Sequence, residues 1–131
     1  FTVSLFGKPK AAHYYATKGY NGVDTSGITV LEYDTFNAVC CAGKDSSSPS
    51  GFVIQGDAGT LRGEGSVSTL SKIYFSDKTG EALLAEFDEK IKLSYELTEF
   101  ERQFSAKDYA SCYQMLDHSV AVAEVVDELL K

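Results

Sequence analysis

The sequence has no tryptophan, one methionine, two prolines, two histidines and three cysteines in 131 residues. Each scarcity removes a class of function. His13 and His118 are far apart and belong to no H-E-x-x-H pattern, so neither a metalloprotease helix nor a Cys/His zinc cluster is available. There is no G-x-S-x-G elbow and no G-x-x-x-x-G-K-[ST] loop, which excludes the commonest hydrolase and nucleotide-phosphate signatures. No apolar run approaches the ~18 residues that a membrane-spanning helix requires. Basic clustering stops at Lys8-Pro9-Lys10, and the net charge is −7, so nucleic acid would be repelled. Lys8 and Lys10 follow the first apolar run instead of preceding it, the wrong order for a secretory signal.

The cysteines are odd in number, and Cys40 and Cys41 are neighbours. Adjacent strand residues point to opposite faces, a poor geometry for bridging each other, and a reducing compartment fits best. A soluble, cytoplasmic protein is expected.

The composition is otherwise that of an ordinary globular chain, 44% hydrophobic and 24% charged, and its length suits one domain over residues 1–131. There is no initiator methionine. Val3 and Phe6, three apart and followed by Gly7, read as the last turns of a helix closed by a glycine cap. The expectation is therefore a piece of a larger protein.

Strands are predicted at Ala11–Thr17, Ile28–Tyr33, Asn37–Ala42, Phe52–Gln55, Thr60–Arg62, Ser71–Ser76 and Lys90–Tyr95. The second and third form a hairpin through Asp34-Thr35, and Gly56-Asp57-Ala58-Gly59 turns the fourth into the fifth. The segment from Gly80 to Lys90 fits either a short helix or an irregular crossing. A long amphipathic helix is predicted from Ala106 to Leu130, capped by Ser105 with Asp108 three residues on. Its apolar stripe is Tyr109, Cys112, Tyr113, Leu116, Val120, Ala123, Val126 and Leu130. The fold class is α+β: an open, mainly antiparallel sheet of about six strands with that helix on one face.

Ile28, Val30, Leu31 and Tyr33 place apolar groups on both faces of one strand, as Phe52, Val53 and Ile54 do on another. A sheet apolar on both sides needs two covers, and one helix supplies one. The open face is expected to meet a second subunit or a further domain; an internal sandwich is the competing explanation and would need more strands.

No residue earns a catalytic, cofactor-binding or metal-binding assignment. Cys112 and His118 are six apart on one helix, on poorly matched faces for a nucleophile and its base. Gly56, Gly59, Gly63 and Gly65 miss G-x-G-x-x-G because position 68 is serine, and strand residues follow where a dinucleotide loop requires a helix. Arg62 beside the glycine turn could contact an anion, although a surface salt bridge explains it better. The eight tyrosines suit half-buried packing, a polar pocket or an interface.

The order of several segments is informative. Leu5-Phe6-Gly7-Lys8-Pro9, Gly22-Val23-Asp24, Leu31-Glu32-Tyr33 and Ile54-Gln55-Gly56-Asp57-Ala58-Gly59-Thr60-Leu61 follow one another. In this order the chain resembles the carboxy-terminal domain of the glucose–fructose oxidoreductase/inositol dehydrogenase (Gfo/Idh/MocA) family. The I-x-G-x-x-G-x-L hairpin is the most specific part, and Ser76 to Phe104 adds nothing to the likeness. The resemblance implies a parent whose amino-terminal Rossmann domain binds NAD or NADP. In that parent a hydride passes between the nicotinamide and a hydroxyl-bearing carbon of a sugar, polyol or diol. It also implies that the open sheet face mediates homo-oligomerisation. The family's catalytic motifs lie before the region matched here; Lys8-Pro9 belongs to the domain connection and is not the family's catalytic Lys-Pro. A stand-alone small-molecule-binding or dimerisation module is the alternative. A cone-shaped α+β enzyme is a weaker one, since it would want a buried Asp/His pair.

Overall fold

A computed structural model describes residues 1–88 and 93–130. The fold is α+β with antiparallel pairing throughout, but the strands divide between two sheets instead of one, of three and four strands. The chain forms two compact units, Phe1–Ser47 with Lys107–Lys131, and Ser48–Ala106.

The first unit begins with α1 (Thr2–Phe6), closed by Gly7 at φ 77, whose N–H donates to the Val3 carbonyl. That left-handed backbone is costly for any residue bearing a Cβ, which is why glycine ends the helix. Strands β1 (Ala11–Lys18), β2 (Asp24–Glu32) and β3 (Asn37–Gly43) pair in sequence order. The β2–β3 hairpin forms where alternation and the Asp34-Thr35 turn predict it, with Glu32 opposite Asn37. On one sheet face, Ala12, Leu31 and Ala38 stand in register.

That face is covered by α3 (Tyr109–Leu129). Ala12, Leu31 and Val125 are its buried hydrophobic core, with Val3, Tyr33, Ala38 and Leu129 packed around them. Polar ties fix the helix: Lys8 Nζ meets Glu124 Oε2 at 2.7 Å, and Glu128 accepts from the Ala12 N–H. Phe6 lies edge-on to Tyr33 and Phe36, which stack on each other at 4.6 Å, and the Tyr33 hydroxyl donates to the Gly7 carbonyl. Burial pushes the Tyr33 phenol up from its ordinary pKa.

Two expectations about this helix are corrected. It starts at Tyr109, with Asp108 as N-cap: the Asp108 carboxylate accepts from the Ser111 N–H at 3.1 Å and from its hydroxyl at 2.8 Å. Ser105 lies in the preceding helix, and Lys107, at φ 52, breaks the chain between the two. The face turned to the sheet is also not the predicted stripe. His118, Ala121, Val122, Val125 and Leu129 are covered, whereas Tyr109 is 66% and Leu116 56% exposed. The helix is apolar on two sides, and periodicity alone picks the wrong one.

The second unit contains β4 (Gly51–Gly56), β5 (Gly59–Glu64), β6 (Lys72–Asp77) and β7 (Gly80–Glu86), paired in order, with a three-residue 3-10 turn at Val67–Thr69 before β6. The ambiguous stretch from Gly80 is thus a strand. Pairing with β6 outweighs the helix-favouring Glu81-Ala82-Leu83-Leu84, at the cost of one register shift beside Tyr74. One face of this sheet is half-buried and apolar (Phe52, Ile54, Leu61, Ile73, Phe75); the other is mixed, with Val53, Tyr74 and Leu83 beside Arg62, Glu64, Lys72 and Glu81. Helix α2 (Ser94–Ala106) follows. The strand predicted at Lys90–Tyr95 is therefore overturned at its end, where Ser94 and Tyr95 are helical; positions 90–92 lie outside the described residues.

Candidate functional site

The outward face of the three-stranded sheet is the most distinctive surface of the first unit. Register places His13, Val30 and Val39 in one row across it, and Tyr15, Ile28 and Cys41 in the next. Glu32 and Asn37 border one end and Thr17 and Ser26 the other. Tyr15 is 63%, Val39 60% and Ile28 45% exposed. The expected two-sided character of β2 is realised here: Leu31 points into the core and Ile28 and Val30 point away from it.

The polar pair on this face is His13 and Glu32, with Nε2 to Oε1 at 3.3 Å and both side chains 49% exposed. Sequence reading weighed His13 only as a metal ligand or base. Its partnership with Glu32 became visible once β1–β2 register was known, because Glu32 stands opposite Ala11, one strand repeat from His13. Glu32 is the one acidic side chain among these outward positions, in a chain carrying 19 Asp and Glu.

The inward face holds a second polar group. The Tyr14 hydroxyl donates to Asp24 Oδ2 at 2.9 Å, and Lys44 Nζ lies 3.2 Å from the same oxygen. The Tyr14 bond, then the lysine, hold the Asp24 carboxyl below its usual range, while the Tyr14 phenol is raised by that same bond. A phenol whose proton is held by a carboxylate is a poor acid and stays protonated, so the group reads as a structural brace.

Cys112 and His118 both lie on α3, and the His118 Nε2 is 3.0 Å from Ser4 Oγ, tying the helix to α1. Cys40 and Cys41 occupy opposite faces of β3, and all three cysteines are free thiols. Among the described residues no three His, Cys, Asp or Glu side chains gather in a metal-holding group.

In the second unit Arg62 is fully engaged. Its guanidinium reaches Glu64 at 2.6 Å and Glu81 at 3.1 Å and lies 4.2 Å from the centre of the Tyr74 ring. The hydrogen bond to Glu64, then that to Glu81, raise its pKa. An arginine neutralised twice offers little to an incoming anion, so the salt-bridge reading holds. The glycine-rich stretch is the β4–β5 hairpin, with Gly56 opposite Gly59 and no helix following as a dinucleotide loop requires.

The proteins to which this chain is similar are oxidoreductases by name. The uncharacterized oxidoreductase YgjR of Escherichia coli (strain K12) is 39% identical over 59 residues, 45% of this chain and 18% of that protein. The scyllo-inositol 2-dehydrogenase (NADP(+)) IolU of Bacillus subtilis (strain 168) is 31% identical over 136 residues, 98% of this chain and 39% of that protein. The chain thus spans less than half the length of either relative. No protein-family model matches it. Among the described residues no helix is long and apolar enough to cross a membrane.

Proposed function

We propose that this chain is the substrate-side and assembly region of a cytoplasmic NAD(P)-dependent oxidoreductase of the Gfo/Idh/MocA type, acting on a sugar, polyol or related diol. The observation that carries the reading is the likeness to IolU along 98% of this chain, over only 39% of that protein. The order of the Leu5–Pro9, Gly22–Asp24, Leu31–Tyr33 and Ile54–Leu61 segments supports it from the sequence side. In this reading the NAD or NADP site and the residues that move hydride and proton belong to a Rossmann region outside these 131 residues. The chain alone is then inactive and binds no nicotinamide cofactor.

The outward sheet face is the subunit interface in this proposal, and its occupant is a second copy of the chain. Charge supports that choice. Two molecules of net charge −7 repel, and they approach with least penalty through a surface carrying one acid beside a histidine. Val30 and Val39, with Ile28 in the next row, give the apolar centre that an isologous contact needs.

The gene tests the first part. A G-x-G-x-x-G strand–helix unit followed by Lys-Pro, encoded upstream of Phe1, is expected; a start codon directly before Phe1 would sink it. Calorimetric titration with NAD and NADP is expected to show no binding, and micromolar affinity would overturn the assignment of the cofactor site.

A further inference from the structure

We infer that self-association through the outward sheet face is proton-linked, with the His13–Glu32 pair as its switch; this rests on the reading of that face as a contact between two copies. His13 and Glu32 lie on the same face as Val30 and Val39, 3.3 Å apart, each half exposed in the single chain. Bringing two copies face to face strips water from both pairs.

With neutral imidazoles, each copy carries an uncompensated carboxylate into a water-poor contact. That arrangement is costly, because charge in a low-dielectric setting needs a partner. With protonated imidazoles, each Glu32 has its cation already in place. Association therefore takes up protons, and the association constant rises as pH falls through the histidine range. Between pH 5 and 8 histidine is the side-chain type that ordinarily changes charge. The other titratable groups on this face are Tyr15 on β1 and Cys41 on β3; α3 packs on the opposite face and contributes none. At the end of the sheet, Lys10 is paired with Asp34, so it does not supply the cation in place of His13.

Sedimentation equilibrium of the 131-residue chain at pH 6.0 and 7.5, at one ionic strength, tests this. The dissociation constant is expected to be about fivefold to twentyfold lower at pH 6.0, as follows when two imidazoles per dimer gain protons. His13→Gln should still dimerise and lose the pH dependence. Glu32→Gln should remove the strengthening at pH 6.0, since an imidazolium would then enter the contact without its carboxylate. A pH-independent dissociation constant, or an unchanged dependence in His13→Gln, overturns the inference while leaving the interface intact. A monomer at both pH values at millimolar concentration overturns the reading of the face itself.

Discussion

The ring of Tyr14 lies over the bare backbone of Gly27: a Cβ at position 27 would come 2.3 Å from Tyr14 Cε2 and 2.4 Å from its hydroxyl. The glycine thus opens the space through which Tyr14 reaches Asp24 across β2. Gly27→Ala must expel the ring and break that bond. The atoms met are the outer end of a 37% exposed side chain that can turn away. The loss expected in urea titrations is therefore that of one hydrogen bond, about 0.5–1.5 kcal/mol, and Tyr14→Phe, which removes the same bond, should cost about as much.

Asp24 is one carboxyl through which stability is lost in acid. Its pKa lies below the ordinary 3.8 through the Tyr14 bond first and Lys44 second. A depressed carboxyl contributes stability that is complete above its unfolded value and disappears as pH falls through the folded one. The wild-type chain should therefore be more stable than Asp24→Asn at pH 6, with the difference shrinking below about pH 4. Denaturant midpoints across pH 3–6 would check this, and a constant difference would refute it.

The two sides of α3 should respond differently to truncation. Val125 is 4% exposed within the core, and Val125→Ala is expected to cost about 1.5–3 kcal/mol. Leu116, 56% exposed, should change the stability of the chain by less than about 0.5 kcal/mol on replacement with alanine. Equal losses would mean that α3 turns a different side to the sheet.

The start of α3 offers a sharp comparison between neighbouring candidates. Asp108→Ala removes the cap to Ser111 and should cost about 1 kcal/mol. Ser105→Ala, inside α2, should be near neutral in thermal unfolding.

On the proposed interface, Val39→Glu puts a carboxylate in the apolar row and should weaken self-association at least about tenfold, or ~1.4 kcal/mol. Leu116→Glu, on the exposed side of α3, serves as the control and should leave it unchanged. The reverse outcome in sedimentation would move the interface to the helix.

Much of this architecture could be read from sequence, and the failures have identifiable causes. The first six predicted strands form where strand-favouring residues mark them, helped by the Asp34-Thr35 turn between β2 and β3 and the Gly56–Gly59 turn between β4 and β5. At Leu93-Ser94-Tyr95 a short apolar alternation imitates a strand, while the following Glu96–Phe104 stretch carries the helical signal that decides the element. At β7, local preference and pairing pull in opposite directions and pairing wins. On α3, apolar residues on two sides left periodicity without a unique solution, and only the contacts of Val125 with Ala12 and Leu31 resolve it. The open face was visible in Ile28 and Val30, but the His13–Glu32 pair needed the β1–β2 register, which no local pattern supplies.

The order in which the core is assembled carries a consequence for synthesis. Glu128 closes onto the backbone of Ala12 across a separation of 116 residues, and Val125 completes the cluster begun by Ala12 and Leu31. Within both sheets the strands pair only with sequence neighbours, so what the first sheet lacks until α3 arrives is the cover of its inward face. On the ribosome both sheets can therefore pair soon after they emerge, whereas the core of the first waits for the far end of α3. During that interval both faces of β1–β3 are bare, and this nascent hairpin pair is where a holding chaperone would be expected to bind.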